Sequence, residues 1–280
     1  MKALGEVLAA SAGYLEQKGS PSPRLDAELL LAHALGVTRV ELYTNHDRPL
    51  TEQELSEIRE LIRRRGRREP VAYITGSRGF RTIELAVDER VLVPRPETEL
   101  VVERALALLE GVEEPRVLDV GTGSGAIALS IAAELPVARV TATDVSPGAL
   151  AVAQANAERL GLEVEFVEGD LLDGVARRSF DAILSNPPYI AAGDLAGLDP
   201  EVREFEPQLA TVAGPDGREV YQGLLGSARN LLEPRGVLIV ECGEGQAPWI
   251  ESELERLGFG DVAVHTDLAG IERVVEGRSG

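Results

Sequence analysis

The sequence predicts an α/β protein: a seven-stranded mixed sheet clothed in helices, preceded by a small helical bundle and a β-hairpin linker. Three observations carry this. From Arg116 onward, β-rich runs alternate with helical stretches, the pattern of a largely parallel sheet covered on both faces. Before Pro70, apolar residues recur at helical spacing with start and stop signals between them. At the C-terminal end two β-rich runs, 261–265 and 272–276, are separated by residues 266–271 alone, too few for a crossover helix, so this pair is antiparallel.

In chain order, Leu4, Val7, Leu8 and Leu15 mark a first amphipathic face. Leu25, Leu29, Leu30, Ala34 and Leu35 mark a second, with Gly36 as its stop. Thr51 and Glu54 form a capping box that opens a helix carrying Leu55, Ile58, Leu61 and Ile62. That helix ends in Arg63, Arg64, Arg65, Arg67 and Arg68; cations there complement the helix dipole. The favoured reading is a solvated helix end, with a partner-binding patch as the alternative. After Pro70, the β-rich runs Val71–Thr75 and 82–87 flank a turn at Gly76 to Gly79, read as a hairpin-like linker. A helix over 97–109 follows, with Pro96 near its first turn. The strands are then expected at Arg116–Val120, 139–143, 164–167, Phe180–Ser185 and 237–241, and the helices at Ala126–Glu134, 148–160, 219–232 and 248–257. The organisation read from this is a helical domain over 1–70, a β-hairpin linker over 71–94 and an α/β domain over 95–280.

Composition removes several classes. The single cysteine, Cys242, cannot form an intramolecular disulfide or a thiolate zinc site, and His33, His46 and His265 lack metal-ligand spacing, so no metal is expected. No apolar run reaches the ~18 residues of a membrane span, and the N-terminal stretch turns charged and helical too early for a signal peptide. A cytoplasmic location, no membrane association and a monomeric state are expected. Net charge is −19. Residues 1–94 carry 14 basic and 14 acidic side chains, whereas residues 95–280 carry 14 and 33. An acidic surface of that size repels phosphate backbones, so stable nucleic-acid binding is not expected. Cys242 and Trp249 read as packing residues.

The first strand of the α/β part, Arg116–Val120, runs into Gly121-Thr122-Gly123-Ser124-Gly125 and then a helix. Glycines allow a sharp turn and close approach of a ligand at the carboxyl end of a parallel strand. Gly121 to Ala126 also satisfies a relaxed dinucleotide fingerprint. Asp119 inside the strand favours the D-x-G-x-G-x-G loop of S-adenosylmethionine sites, because that ligand brings an amino-acid tail and no pyrophosphate. Asp144 after the second strand is placed to accept hydrogen bonds from ribose hydroxyls. Asp170, in Gly169-Asp-Leu-Leu172, is placed to frame an adenine.

Asn186-Pro187-Pro188-Tyr189, after the strand Phe180–Ser185, is the most specific signal in the chain. Two prolines stiffen the backbone and remove N–H groups, which leaves carbonyls as acceptors. With the Asn side-chain oxygen they match the two protons of a substrate NH2 group, and Tyr189 can pack against a planar amide or base. An amide nitrogen is a poor nucleophile, so holding both its protons aims its lone pair at a methyl donor. No dedicated general base is evident.

Arg68-Glu-Pro-Val-Ala-Tyr-Ile-Thr-Gly76, Phe80, Val91-Leu-Val-Pro-Arg-Pro-Glu-Thr-Glu99, Asp119 to Gly125, Asn186 to Ile190 and the ending Arg273-Val-Val-Glu-Gly-Arg278 resemble the HemK/PrmC-type N5-glutamine methyltransferases over essentially the whole chain. These modify the glutamine of the Gly-Gly-Gln loop of peptide chain release factors, a step connected with translation termination. The Asn-Pro-Pro-Tyr motif is shared with adenine-N6 methyltransferases; the Pro-Arg-Pro-Glu-Thr-Glu segment narrows the resemblance. It implies a Rossmann-like, class I S-adenosylmethionine methyltransferase fold, S-adenosyl-L-methionine as cofactor with S-adenosyl-L-homocysteine as product, and release factors as partners. It also implies cofactor contacts at Gly121, Thr122, Gly123, Ser124, Gly125, Asp144, Leu171 (the residue after Asp170) and Asn186, and a substrate glutamine held by Asn186, Pro187, Pro188 and Tyr189. Leu171 departs from the aromatic residue of some relatives, and Arg218 stands where an apolar residue is common. Glu97 and Glu99 are read either as helix-start acids or as an active-site wall. The rival readings are an adenine-N6 methyltransferase, against which the acidic α/β part argues, and a non-catalytic nucleotide-binding protein, which would have no use for Asn-Pro-Pro-Tyr.

Overall fold

The computed structural model describes residues 2–280, and their contacts divide the chain into two compact units. The first comprises the N-terminal stretch through Ser77 together with Asp199–Phe205. It holds helices α1 (Leu4–Gln17), α2 (Pro23–Leu35), α3 (Arg39–Thr44), α4 (Glu52–Gly66) and α5 (Val71–Thr75), and the short helix Pro200–Phe205, α9 in chain order. Leu8, Leu15, Leu30, Leu31, Leu42, Leu50 and Ile58 form its core. The stop and start signals act as expected: Gly36 ends α2 in a left-handed conformation, and Thr51 Oγ1 accepts from Glu54 N while Glu54 Oε2 accepts from Thr51 N at 2.8 Å. A second capping box, Thr38 with Glu41, opens α3, which the apolar pattern had not marked because only Leu42 of that helix is buried.

Two expectations are corrected in this unit. Val71–Thr75 is a helix, not a strand: the Pro70 carbonyl accepts from Tyr73 N and Ile74 N, Thr75 Oγ1 donates back to Val71 O, and Gly76 ends the turn at φ 76°. Helical closure of one turn and burial of Ala72 and Ile74 outweigh the β-propensity of Val, Ile and Thr. The arginine run is a solvated helix end only at Arg63 and Arg67, which are exposed, and it is not a free patch. Arg65 is 4% exposed and lies between Asp26 at 2.6 Å and Glu201 at 2.8 Å. Arg68 also pairs with Glu201, Arg64 with Glu69 and Arg63 with Glu60.

The second unit spans Arg78–Leu198 and Glu206–Gly280. It starts with a two-stranded sheet of β1 (Ser77–Phe80) and β2 (Ile83–Ala86), then a 3-10 turn at Pro96–Thr98 and α6 (Glu99–Leu108). The main sheet contains β3 (Arg116–Val120), β4 (Arg139–Asp144), β5 (Glu165–Glu168), β6 (Phe180–Ser185), β9 (Leu232–Glu241), β10 (Gly260–Thr266) and β11 (Glu272–Arg278) in the order β10-β11-β9-β6-β3-β4-β5. The seven-stranded mixed sheet is as expected: β9, β6, β3, β4 and β5 run parallel, and β11 is antiparallel to both β9 and β10. Helices α7 (Ala126–Glu134), α8 (Pro147–Leu160), α10 (Glu219–Ala228) and α11 (Ala247–Arg256) connect the strands, and β7 (Ile190–Ala191) pairs with β8 (Val212–Gly214) in a small separate ladder. The helix expected over 219–232 ends earlier, because Arg229–Leu231 tightens to a 3-10 turn and β9 already begins at Leu232. The chain builds outward from β3 through β4 to β5 and then returns to β6 on the other side. The carboxyl ends of β3 and β6 therefore open onto the crevice that such a reversal creates.

Candidate active site

At that reversal lies a cavity of about 470 Å3, lined by the loops after β3, β4, β5 and β6, by residues of the segment before α6 that include Arg90, Arg95 and Thr98, and by the stretch around β8. Gly121, Thr122, Gly123 and Ser124 form one wall. Gly121 and Gly123 have φ of 74° and 57°, and a Cβ at either would meet no atom within 4 Å: the space beside them is open to a ligand, and only glycine adopts this backbone without strain. Gly125 serves differently. It caps α7 at φ 85°, and an added Cβ would approach Leu129 Cδ1 to 2.8 Å, so it permits close helix packing and does not line the cavity.

Asp119 likewise lies off the wall. It is fully buried; its Oδ2 accepts from Thr122 Oγ1 at 2.6 Å and from Ala128 N at 3.1 Å, which pins the loop to the start of α7. Its Oδ1 has no partner, and burial pushes its pKa up to about 7. Asp144 is on the wall. Oδ2 accepts from Gly123 N and Oδ1 from Ser146 N, both at 2.9 Å, leaving each oxygen a further acceptor site. Burial raises its pKa against those hydrogen bonds. Asp170 is exposed at the rim, and Leu171, at φ 50°, lines the cavity while packing against α10 near Gly223. Backbone N–H groups, a carboxylate with free acceptor sites and the apolar surfaces of Leu171, Val145 and Ala149 fit an adenosyl ligand with an amino-acid tail, and the two arginines on the wall, Arg90 and Arg95, are already paired with Asp88 and Glu206.

Asn186 and Pro188 stand on the cavity wall. Asn186 Nδ2 donates to Thr98 Oγ1 at 3.0 Å, which orients the amide and leaves Oδ1 as its unused acceptor. Among the described residues no hydrogen bond reaches the carbonyls of Asn186, Pro187 or Pro188. Pro187 is buried and off the wall. Tyr189 is not on the wall either: its ring lies against Gly243, where an added Cβ would meet it at 3.0 Å, and burial pushes its pKa up to about 12, so it is a neutral packing group.

Several contributors were not legible beforehand. Gln246 Oε1 accepts from Gly243 N at 3.0 Å, while Nε2 donates to Tyr189 O at 2.9 Å and Gly217 O at 3.3 Å, clamping the backbone after the two prolines. Asn156, on α8 and fully buried, bonds Ala86 N, Ala86 O and Ser124 O, tying the hairpin to the glycine loop. Glu241, at the end of β9, is 2% exposed; the nearby Thr98 side chain favours its charged form, and its Oε2 has no partner. Burial pushes its pKa up to about 7. Glu99 accepts from Arg81 N and so belongs to the hairpin contact rather than the cavity wall; Glu97 is off the wall as well. Trp249 packs edge-on to Tyr221 and carries the Arg218 guanidinium 4.9 Å from its ring centre, which accommodates the polar residue at the start of α10.

Comparison with known proteins agrees with this geometry. Residues 6–76 match the family described as PrmC N-terminal domain, and residues 98–197 the methyltransferase small domain. A release factor glutamine methyltransferase of Geobacter sulfurreducens is 46% identical over 98% of this chain and 96% of its own length. That of Deinococcus radiodurans is 43% identical over 98% of both. Among solved structures, a 16S rRNA methyltransferase of T. thermophilus in complex with AdoMet and guanosine shares the fold at a TM-score of 0.53, with 20% identity over 73% of this chain and 50% of that one. With such identity over nearly the entire length, the chain belongs to the release factor glutamine methyltransferase family.

Proposed function

We propose that the protein transfers a methyl group from S-adenosyl-L-methionine to the side-chain amide nitrogen (N5) of the glutamine in the Gly-Gly-Gln motif of peptide chain release factors. The observation that supports this reading is Asn186: it stands on the cavity wall with its amide anchored through Nδ2 and no donor on Oδ1, and the main-chain carbonyls of Asn186, Pro187 and Pro188 take no donor either. When bound, the cofactor supplies an electrophilic methyl group on a sulfonium that is already a good leaving group.

The chain's own residues do the rest. Gly121 to Ser124 and Asp144 hold the cofactor's tail and ribose, and Asp170 and Leu171 border the adenine. Asn186 Oδ1 and the Pro187 carbonyl accept the two protons of the glutamine NH2 and point its lone pair at the methyl. Pro188 and Tyr189 shape the same loop, Tyr189 from behind through its packing and its clamped carbonyl. The contribution is chiefly alignment, which can supply several kcal/mol of a barrier. The helical domain, residues 1–70, adds affinity for the release factor, and the hairpin region 71–94 links it to the methyltransferase domain at 95–280.

The test is mass spectrometry of a release factor incubated with the protein and isotopically labelled S-adenosylmethionine, with an adenine-containing oligonucleotide in parallel. One labelled methyl on the Gly-Gly-Gln glutamine is expected, and its rate in single turnover should fall on the order of 100-fold in Asn186→Ala. Label on the oligonucleotide alone would refute the reading.

A further inference from the structure

Asn186 is the outer end of a row of polar groups that leads inward. Its Nδ2 donates to Thr98 Oγ1, and the Thr98 side chain lies close enough to the Glu241 carboxyl to favour its charged form. Strand register explains the placement: β6 and β9 are parallel neighbours with Ser185 opposite Val240, so Asn186 and Glu241 are the next residues along each strand. Thr98, 4% exposed, closes the gap from the Pro-Arg-Pro-Glu-Thr-Glu segment. A carboxyl that is 2% exposed and keeps one oxygen unpartnered is costly to bury.

We infer that Glu241 is a positioning residue for methyl transfer: through Thr98 it locks the Asn186 amide with Oδ1 facing the substrate and polarises it as positive charge develops on the substrate nitrogen. This rests on the function proposed above. The nitrogen is neutral before transfer and gains positive charge as the N–C bond forms and the S–C bond breaks. A carboxylate behind Asn186 and Thr98 draws their N–H and O–H dipoles into line and makes Oδ1 a stronger acceptor. The gain is greatest when the charge is present, so it stabilises the transition state more than the ground state. No proton passes along the row, because an amide cannot relay one without becoming an imidic acid; the substrate proton leaves to solvent after transfer.

The charged groups around Glu241 set when this operates. Glu97 opposes its charge, whereas Arg273 and Arg95 favour it; Tyr189, Tyr221 and Cys242 are held neutral by burial. Burial remains the largest influence, so the carboxylate appears only as pH rises through about 7.

Single-turnover methylation of a release factor, with cofactor saturating, is measured from pH 6 to 8.5 for the parent, Glu241→Gln, Thr98→Val and Thr98→Ser. The parent rate is expected to rise through about pH 7. Glu241→Gln should match it near pH 6 and fall about tenfold behind by pH 8, a smaller effect than removing a group that touches the reacting atoms. Its affinity for S-adenosylhomocysteine should stay within twofold. Thr98→Val should behave like Glu241→Gln, and Thr98→Ser like the parent. Glu241→Gln with the parental rate and pH profile overturns the inference, as does a loss of rate equal at every pH. Should Glu241→Gln fail to fold, parental behaviour in Thr98→Val overturns it. A parent that methylates no release factor refutes the proposed function itself, an outcome distinct from an active parent with an indifferent Glu241.

Discussion

Replacing Asp144 by alanine probes the cofactor site without touching the chemistry. Its two oxygens already hold Gly123 N–H and Ser146 N–H, each at 2.9 Å, and a carboxylate has about four lone-pair sites, so about two remain for a vicinal diol. Hydrogen bonds to a charged acceptor contribute about 1.5–3 kcal/mol each, but the hydroxyls regain water when the ligand is free. We take about 1.5–3 kcal/mol as the loss for the pair, or roughly 12- to 150-fold in Kd. The variant also frees Gly123 N–H, which loosens the loop at φ 57° and pushes the value towards the upper end. Asp144→Asn keeps one acceptor and should lose about half as much free energy. Because burial raises the Asp144 pKa, parental affinity should improve with rising pH and that of Asp144→Asn should not. Titration calorimetry with S-adenosylhomocysteine measures all of this. A Kd for Asp144→Ala within threefold of the parent, in a protein with unchanged circular dichroism, would refute the assignment.

Arg65→Met strips the cation from Asp26 in a site where the arginine is 4% exposed, while Glu201 keeps Arg68, and should destabilise the N-terminal unit by about 3–5 kcal/mol in urea denaturation; a change under 1 kcal/mol would show that the pair is solvated. Asn156→Ala leaves Ala86 N, Ala86 O and Ser124 O without partners and should cost about 2–4 kcal/mol, with weaker cofactor binding because the glycine loop loses its anchor. Unchanged stability would contradict this account of the hairpin. Asp119 and Glu241, both near 7 in the folded chain against about 4 unfolded, bind protons that unfolding releases. Their contribution to stability is full below pH 4 and is lost as pH rises through 7. The urea midpoint should therefore decline between pH 5 and 8, less steeply in Asp119→Asn, and a midpoint that climbs over that interval would exclude the burial of these two carboxyls.

What could be seen beforehand follows local rules. The sheet alternation, the glycine loop, the antiparallel last pair and the Thr51 capping box each depend on neighbours in sequence, and all four appear in the structure. At Val71–Thr75 residue preference favours strand, whereas the Pro70 carbonyl and Gly76 decide for a helical turn. Asp119, Gly125 and Tyr189 were recognised as belonging to the site's motifs, yet they support the wall without forming it. Thr98, Glu241 and Gln246 act across 88, 143 and 57 positions of chain relative to their partners in the site, so no short pattern announces them; the register of β6 against β9 brings Glu241 to Asn186, and Thr98 reaches them from the turn before α6.

One consequence of the double proline concerns the lifetime of the site. Asparagine residues ordinarily age by attack of the following backbone nitrogen on the side-chain amide, which closes a succinimide ring and opens to a carboxylate. The nitrogen after Asn186 belongs to Pro187 and bears no hydrogen, so that ring cannot form by this route. Pro187 thus protects the neighbouring amide from becoming an acid. A negative charge there would meet the buried carboxyl of Glu241 across a single threonine, so resistance to this damage preserves both the acceptor and the electrostatic balance behind it.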